Sequence, residues 1–502
     1  MGTSTWRRAL LAAAASGTLA ASAVLPLGAT AGASPAPRGP FGGDRGGPTA
    51  SKVAMGFFEQ WSIYGRGFDL SNADNEGEIA DLTHLDYAFG GVNPQTKGQA
   101  VQEDPSQPAY NPVLCNSVDS WADYQTPYLT PITGANGQPQ PTTDPATGLG
   151  GNFEQLAELK AKYPNLKVMM SLGGYTGSGF FSAAASSPAA REAFVSSCIN
   201  EFIKGDLPGM PSGAAGNIFD GFDIDWEYPC ASPTANNGAA GNLCDYNNSN
   251  DGADLVALMR EFRQQLDQLS QSTHKQYTLT VEMPAGLQNA VNEQPAALAR
   301  YVDYEVIMDY DFQGPWDATG PTNFDSNLFT SPAAPNTAAE PLISADSSVR
   351  YYESRGVRAS QLVMGMPYYG HGWAGVAAGN DYGLYQPASG PATSLDVNSA
   401  GQQVTGLDGG DPSGTSDYYE LANMPGFSWH FDPATGATWL YNPTSQVFWS
   451  IENPAEVYEK ALYIDTHGLA GASVWALEGD SGNALTSALA GGLAQAAGPQ
   501  DR

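Results

Sequence analysis

Short apolar runs recur along this chain, near residues 52–58, 84–90, 166–171, 219–227, 277–283, 304–310, 362–367 and 470–475. Between them the pattern shifts to a helical period, most clearly over 254–269. There Leu255, Leu258, Met259, Phe262, Leu266 and Leu269 fall on one face. Eight strands alternating with helices predict an α/β fold, a closed (β/α)8 TIM barrel. In such a barrel the chemistry sits at the C-terminal ends of the strands. Two stretches break the rhythm. Residues 92–150 are rich in Pro, Gln and Thr and predict a loop elaboration over the barrel mouth. Roughly 100 residues separate Tyr369 from Val474, far more than one βα unit requires. A small inserted subdomain is therefore expected at 373–446, between the seventh and eighth strands. It leaves 51–372 and 447–495 as the two parts of the barrel. Trp429, Trp439 and the tyrosines of the insertion are expected to form a small packed core.

The N-terminus changes the cellular picture. Arg7 and Arg8 precede an apolar run from Ala9 to Leu27, and Ala29-Thr30-Ala31 offers a small-residue cleavage site. Residues 1–31 thus predict an export signal, and the arginine pair also suits a twin-arginine route. Residues 32–50, rich in Pro and Gly, predict a linker or tail. The mature protein is expected to be secreted, extracellular and monomeric. Its formal charge of −31, from 21 basic and 52 acidic residues, argues against nucleic acid or an anionic membrane as partner. Four cysteines in an exported chain suggest two disulfides, with three connectivities open. Cys230 and Cys244 bracket a Gly/Asn/Pro-rich loop and make the first pairing; Cys115 with Cys198 follows by elimination. No Cys/His spacing suits a metal, and no cofactor is expected.

The chemistry concentrates in Asp220-Gly221-Phe222-Asp223-Ile224-Asp225-Trp226-Glu227. Alternate side chains of a strand share a face, so Asp223, Asp225 and Glu227 converge. Carboxyl groups so close cannot all ionise, and one is driven to hold a proton at neutral pH. A calcium loop is excluded because Phe222, Ile224 and Trp226 stand where ligands and a glycine turn would be needed. A merely structural acidic strand would bury charge to no purpose. From the residues alone, the expectation is a secreted barrel glycosidase with its acid near Glu227.

With these segments in order, the chain resembles family 18 glycoside hydrolases, and within them bacterial secreted chitinases. The acidic strand matches the family's DGxDxDWE signature without a gap. Ser171-Leu172-Gly173-Gly174 resembles its SxGG strand end, and Met308-Asp309-Tyr310-Asp311 its Met-x-Tyr-Asp strand. Trp61-Ser62-Ile63-Tyr64-Gly65-Arg66, Leu82-Thr83-His84, Pro367-Tyr368-Tyr369-Gly370 and Val474-Trp475 follow in the same order, so the likeness covers about residues 52–490.

The resemblance implies an endo- or exo-acting hydrolase of chitin and chito-oligosaccharides, and an insertion of α+β type. In the implied mechanism the substrate's own acetamido oxygen attacks the anomeric carbon. Glu227 would be general acid and base, Asp225 would orient the acetamido group, and Asp223 would share a proton with Asp225. Tyr310 would donate to the acetamido oxygen. Asp311, Met308, Tyr369 and Trp475 would contact the sugar at the cleavage point, Trp475 as its floor. Trp61, Tyr175 and Trp316 are further cleft candidates, and Ser171 would bond the buried aspartates. Three positions depart from the family pattern: Phe57 for Tyr, Tyr175 for Trp and His371 for Arg. An endo-β-N-acetylglucosaminidase acting on N-glycan cores uses the same acids and is the alternative. A chitin-binding lectin is a second, disfavoured because Glu227 is intact.

Overall fold

All eight apolar runs form strands in the computed structural model, which describes residues 52–230, 243–248, 250–335, 343–394 and 414–496. The expected export signal and the 32–50 stretch lie outside these residues. The strands are β1 (Val53–Glu59), β2 (His84–Pro94), β3 (Lys167–Gly173) and β4 (Gly221–Asp225). They continue with β5 (Thr278–Pro284), β6 (Tyr304–Met308), β7 (Leu362–Pro367) and β8 (Gly471–Trp475). Each pairs in parallel with its sequence neighbours, and β1 pairs with both β2 and β8, which closes the barrel.

Strand parity assigns the faces. Ala54, Phe58, Phe222 and Ile224 join the large core between sheet and helices. Val53 and Met55 take the opposite face and meet Val306 and Val363 in a separate apolar cluster inside the barrel. On β4 the residues opposite to Phe222 and Ile224 are Asp223 and Asp225, so the barrel interior receives the acids.

The predicted helix is longer than its apolar stripe, running Asp251–Thr273. Asn250 caps it by accepting from the Ala253 N–H, and His274 ends it in the left-handed region at φ 58°. The stripe stops at Leu269, so periodicity could not reveal the last polar turn.

The 92–150 segment is more than a loop. β2 extends to Pro94 and pairs antiparallel with Val113–Ser117, a strand too short amid polar residues to register as a run. Cys115 on that strand is bonded to Cys198, the last residue of the helix Pro188–Cys198, and Cys230 is bonded to Cys244. Both expected pairings are present. The first bridge spans 83 residues and the second 14. On loop-closure entropy, Cys115→Ser is expected to cost about 4.5 kcal/mol and Cys244→Ser about 3 kcal/mol. Urea denaturation of the two variants checks the order; equal losses would mean that chain entropy does not set it.

A separate antiparallel sheet fills the chain between β7 and β8. Its strands are Tyr369–Ala374, Gly390–Pro391, Thr415–Asp417, Ser428–Asp432, Ala437–Asn442 and Val447–Ser450. The sheet therefore reaches past residues 373–446 at each end. Only Tyr368 separates β7 from its first strand, so no turn signal marks the change. Trp373, Trp439, Tyr441 and Phe448 pack with Phe324 into its own core. Trp429 departs from the packed-core expectation and is 36% exposed, because it faces outward with Phe431 on the edge strand Ser428–Asp432. Buried Arg66 joins this unit to the barrel, pairing with Glu59 of β1 at 3.2 Å and Asp417 at 2.9 Å. Among the described residues, no helix is long and apolar enough to cross a membrane.

Candidate active site

The register across β3, β4 and β5 places Ser171, Asp223 and Thr280 side by side. Both hydroxyls donate to the Asp223 carboxylate, each at 2.7 Å, and Asp223 is fully buried. Asp225 lies two residues closer to the mouth, and its Oδ1 has no hydrogen-bond partner. Glu227 follows past the end of β4. Its N–H donates to Ser178 Oγ at 2.9 Å, and that hydroxyl in turn donates to the Gly174 carbonyl at 2.8 Å. Gly173 and Gly174 have φ of 108° and 76°. A Cβ on Gly173 would come within 2.4 Å of the Asp225 carbonyl oxygen, so this strand end tolerates no side chain.

The acids differ in their hold on a proton. Burial raises Asp223 to about 6, with the Thr280 and Ser171 bonds opposing the rise. Burial, then the charges of Glu227 and Asp223, push Asp225 well above the usual carboxylate range. Burial lifts Glu227 to about 7, moderated by a hydrogen bond from Tyr228 and reinforced by the nearby Asp311. The buried pair is therefore driven to retain a proton, with Asp225 pushed toward its protonated form, and Glu227 has its midpoint near neutral pH.

Two further acids sit in the barrel: Asp86 on β2 and Glu282 on β5, neither with a partner for its carboxyl oxygens. Burial raises both, with Asp223 as the leading charge on each. Sequence reasoning missed them, although a lone acid inside an apolar strand was a readable signal.

Above the acids opens a cleft of about 460 Å³. Trp61, Tyr175, Asp225, Glu227, Met308, Tyr310, Asp311, Trp316, Tyr369 and Trp475 all line it. Asp223 lies beneath and does not reach it. Trp475, at the end of β8, forms an aromatic floor packed by Phe57 at 5.1 Å and Phe89 at 5.5 Å. Phe89 was not foreseen, since an aromatic at the end of an apolar run reads as core. Tyr175 and Trp316 are 54% and 57% exposed, open to a ligand rather than spent on packing. Past the end of β6, Asp311 takes φ 57°, and its N–H donates to Asp325 Oδ1 at 2.8 Å. Its carboxylate accepts from the Tyr369 hydroxyl at 2.6 Å and meets His371 Nε2 at 2.8 Å. Among the described residues, Asp311, Asp325 and His371 are the one acid–histidine group whose polar atoms all lie within 4.8 Å. They form an ion-paired cluster.

Residues 53–480 match the model of glycosyl hydrolases family 18. The chain belongs to this family. Among its relatives, chitinase C of Streptomyces lividans is 33% identical over 88% of this chain, and chitinase A1 of Niallia circulans 30% over 87%. The chain spans 60% and 57% of the lengths of these two relatives. The catalytic domain of psychrophilic chitinase B from Arthrobacter TAD20 superposes with a TM-score of 0.74. The two are 34% identical, and the match covers 90% of this chain and 98% of that one. The barrel is thus that of a family 18 hydrolase.

Proposed function

We propose that this protein is a secreted chitinase that cleaves β-1,4 bonds between N-acetylglucosamine units with retention of configuration. The observation that carries this is the graded set of acids along and just past β4, with Glu227 at the cleft, Asp225 beside it and Asp223 below. A sugar resting on Trp475 would present its glycosidic oxygen to Glu227, which gives up its proton as the bond breaks. The acetamido oxygen attacks the anomeric carbon from the opposite face, and the acetamido N–H bonds to Asp225. The oxazolinium that forms is positive, and the Asp223–Asp225 pair moves its shared proton to offset that charge. Tyr310 donates to the acetamido oxygen and Met308 packs against the methyl. Water then adds to the anomeric carbon as Glu227 takes back a proton. No separate carboxylate nucleophile is needed, in line with the substrate-assisted exceptions among glycosidases.

The acid role of Glu227 sets an alkaline limit. Protonated Glu227 is lost as pH rises through about 7, so kcat/KM for chitotetraose should fall by about tenfold per pH unit above that value. A pH–rate profile flat to pH 9 would remove Glu227 from the acid role.

The exposed aromatics of the cleft and the insertion beside it favour a linear polymer over a branched glycan core. Release of sugar from colloidal chitin, with none from a high-mannose glycoprotein, is the expected result. The opposite preference would make the protein an endo-β-N-acetylglucosaminidase, and binding without hydrolysis would make it a lectin.

A further inference from the structure

Asp311 is held from behind by a histidine. Its side chain is 55% exposed toward the cleft, whereas that of His371 is 6% exposed and that of Asp325 is 1% exposed. His371 Nε2 lies 2.8 Å from Asp311 Oδ1 and 3.7 Å from Asp325 Oδ1. On the other side of the ring, Nδ1 lies 3.2 Å from Thr415 Oγ1, on a strand of the insertion. Trp316 meets the same ring edge-on at 5.0 Å. Asp325 fixes the Asp311 backbone through its N–H, and the Asp325 N–H is itself anchored on Ser450 Oγ at 2.8 Å. Among the described residues, the Asp311 carboxylate is oriented by its bonds to Tyr369 and His371.

We propose that His371 is a positioning residue that, as an imidazolium, holds the Asp311 carboxylate in its sugar-facing orientation and couples it to the insertion. This rests on the assignment of Asp311 to the sugar site. The charged ring donates from both nitrogens, toward Asp311 and toward Thr415, while the neutral ring can donate from only one. The groups facing the ring are Asp311 and Asp325, the Tyr369 phenol and the Thr415 hydroxyl. Behind Asp325 lies Glu452, which is itself paired with Lys460. Burial pulls the imidazole down, but Asp325 and Asp311 more than reverse it, leaving His371 above its ordinary value. Burial raises Asp325 to about 7. At acidic pH the cluster is therefore neutral, with Asp311 ionised, His371 charged and Asp325 protonated. At alkaline pH it carries two negative charges and no cation, so the bond from the ring to Asp311 loses its charge assistance and only the Tyr369 hydroxyl holds the carboxylate as before.

The test follows KM and kcat for chitotetraose from pH 5 to 9 in wild type, His371→Arg and His371→Gln. Wild-type KM should rise about tenfold as the imidazolium is lost, the worth of one charge-assisted hydrogen bond. His371→Arg should keep the low KM at every pH, and His371→Gln should show the high KM at every pH. In both variants the effect on kcat should be the smaller. Three proteins with the same KM profile would overturn the proposal. A second readout does not depend on turnover. The imidazole of His371, one of five in the chain, is assigned by NMR from its loss in His371→Arg. In Asp311→Asn it should titrate at lower pH than in wild type; an unmoved titration would also overturn the clamp. If wild type fails to hydrolyse or bind chitotetraose, the chitinase assignment fails, and the titration alone decides the clamp.

Discussion

Glu227→Gln is expected to lower kcat on chitotetraose by about 10⁴-fold while leaving binding within a few-fold of wild type. The amide keeps the shape of the side chain but can neither deliver a proton to the leaving oxygen nor accept one from water. The Glu227 backbone is fixed through Ser178 and the Gly173-Gly174 turn, and the amide oxygen can still accept the hydrogen bond from Tyr228. Removing one acid from a crowded site should also leave folding intact. Single-turnover kinetics measure the loss, and calorimetric titration with the same sugar measures the binding. A drop below tenfold would assign the proton transfer elsewhere.

Asp225→Asn is the second large effect, with a fall in kcat of about 10²–10³-fold, the typical worth of one preorganised group at a developing charge. Asparagine can still bond to an acetamido group, but it cannot share a proton with Asp223 or balance a positive intermediate. The expected gain in stability separates this from a folding defect. Asp225 is held well above its ordinary range by burial and by two neighbouring acids, so above that ordinary value it costs stability as ionisation is opposed. A neutral amide removes that cost. The variant should therefore melt higher than wild type at pH 7, while being far less active. A lower melting temperature would mean that the carboxyl group serves structure, not catalysis.

Much of this was legible because barrel strands are short, apolar and punctuated. All eight were visible as runs, and the alternation on β4 is enough by itself to say which acids share a face. Glu227 was reached by extending that alternation, whereas the other cleft residues were reached through ordered motifs, since Tyr310 and Asp311 lie just past a strand end where pattern gives out. The Val113–Ser117 strand escaped because pairing with a neighbour, not its own composition, makes it a strand. Asp86 and Glu282 escaped because their significance depends on which other strands they face. His371 was visible only as an unexpected residue; its two carboxylate neighbours come from segments about 45 and 60 positions away, a closeness that no local pattern encodes.

The most direct test of the mechanism is the anomeric form of the first products released from chitotetraose, followed by proton NMR before mutarotation. An initial excess of the β-anomer is the result expected of acetamido attack followed by entry of water on the face that the leaving group vacated. An initial α-anomer would mean direct displacement by water, and would contradict the roles of Asp225 in orienting the acetamido group and of Asp223 in sharing its proton.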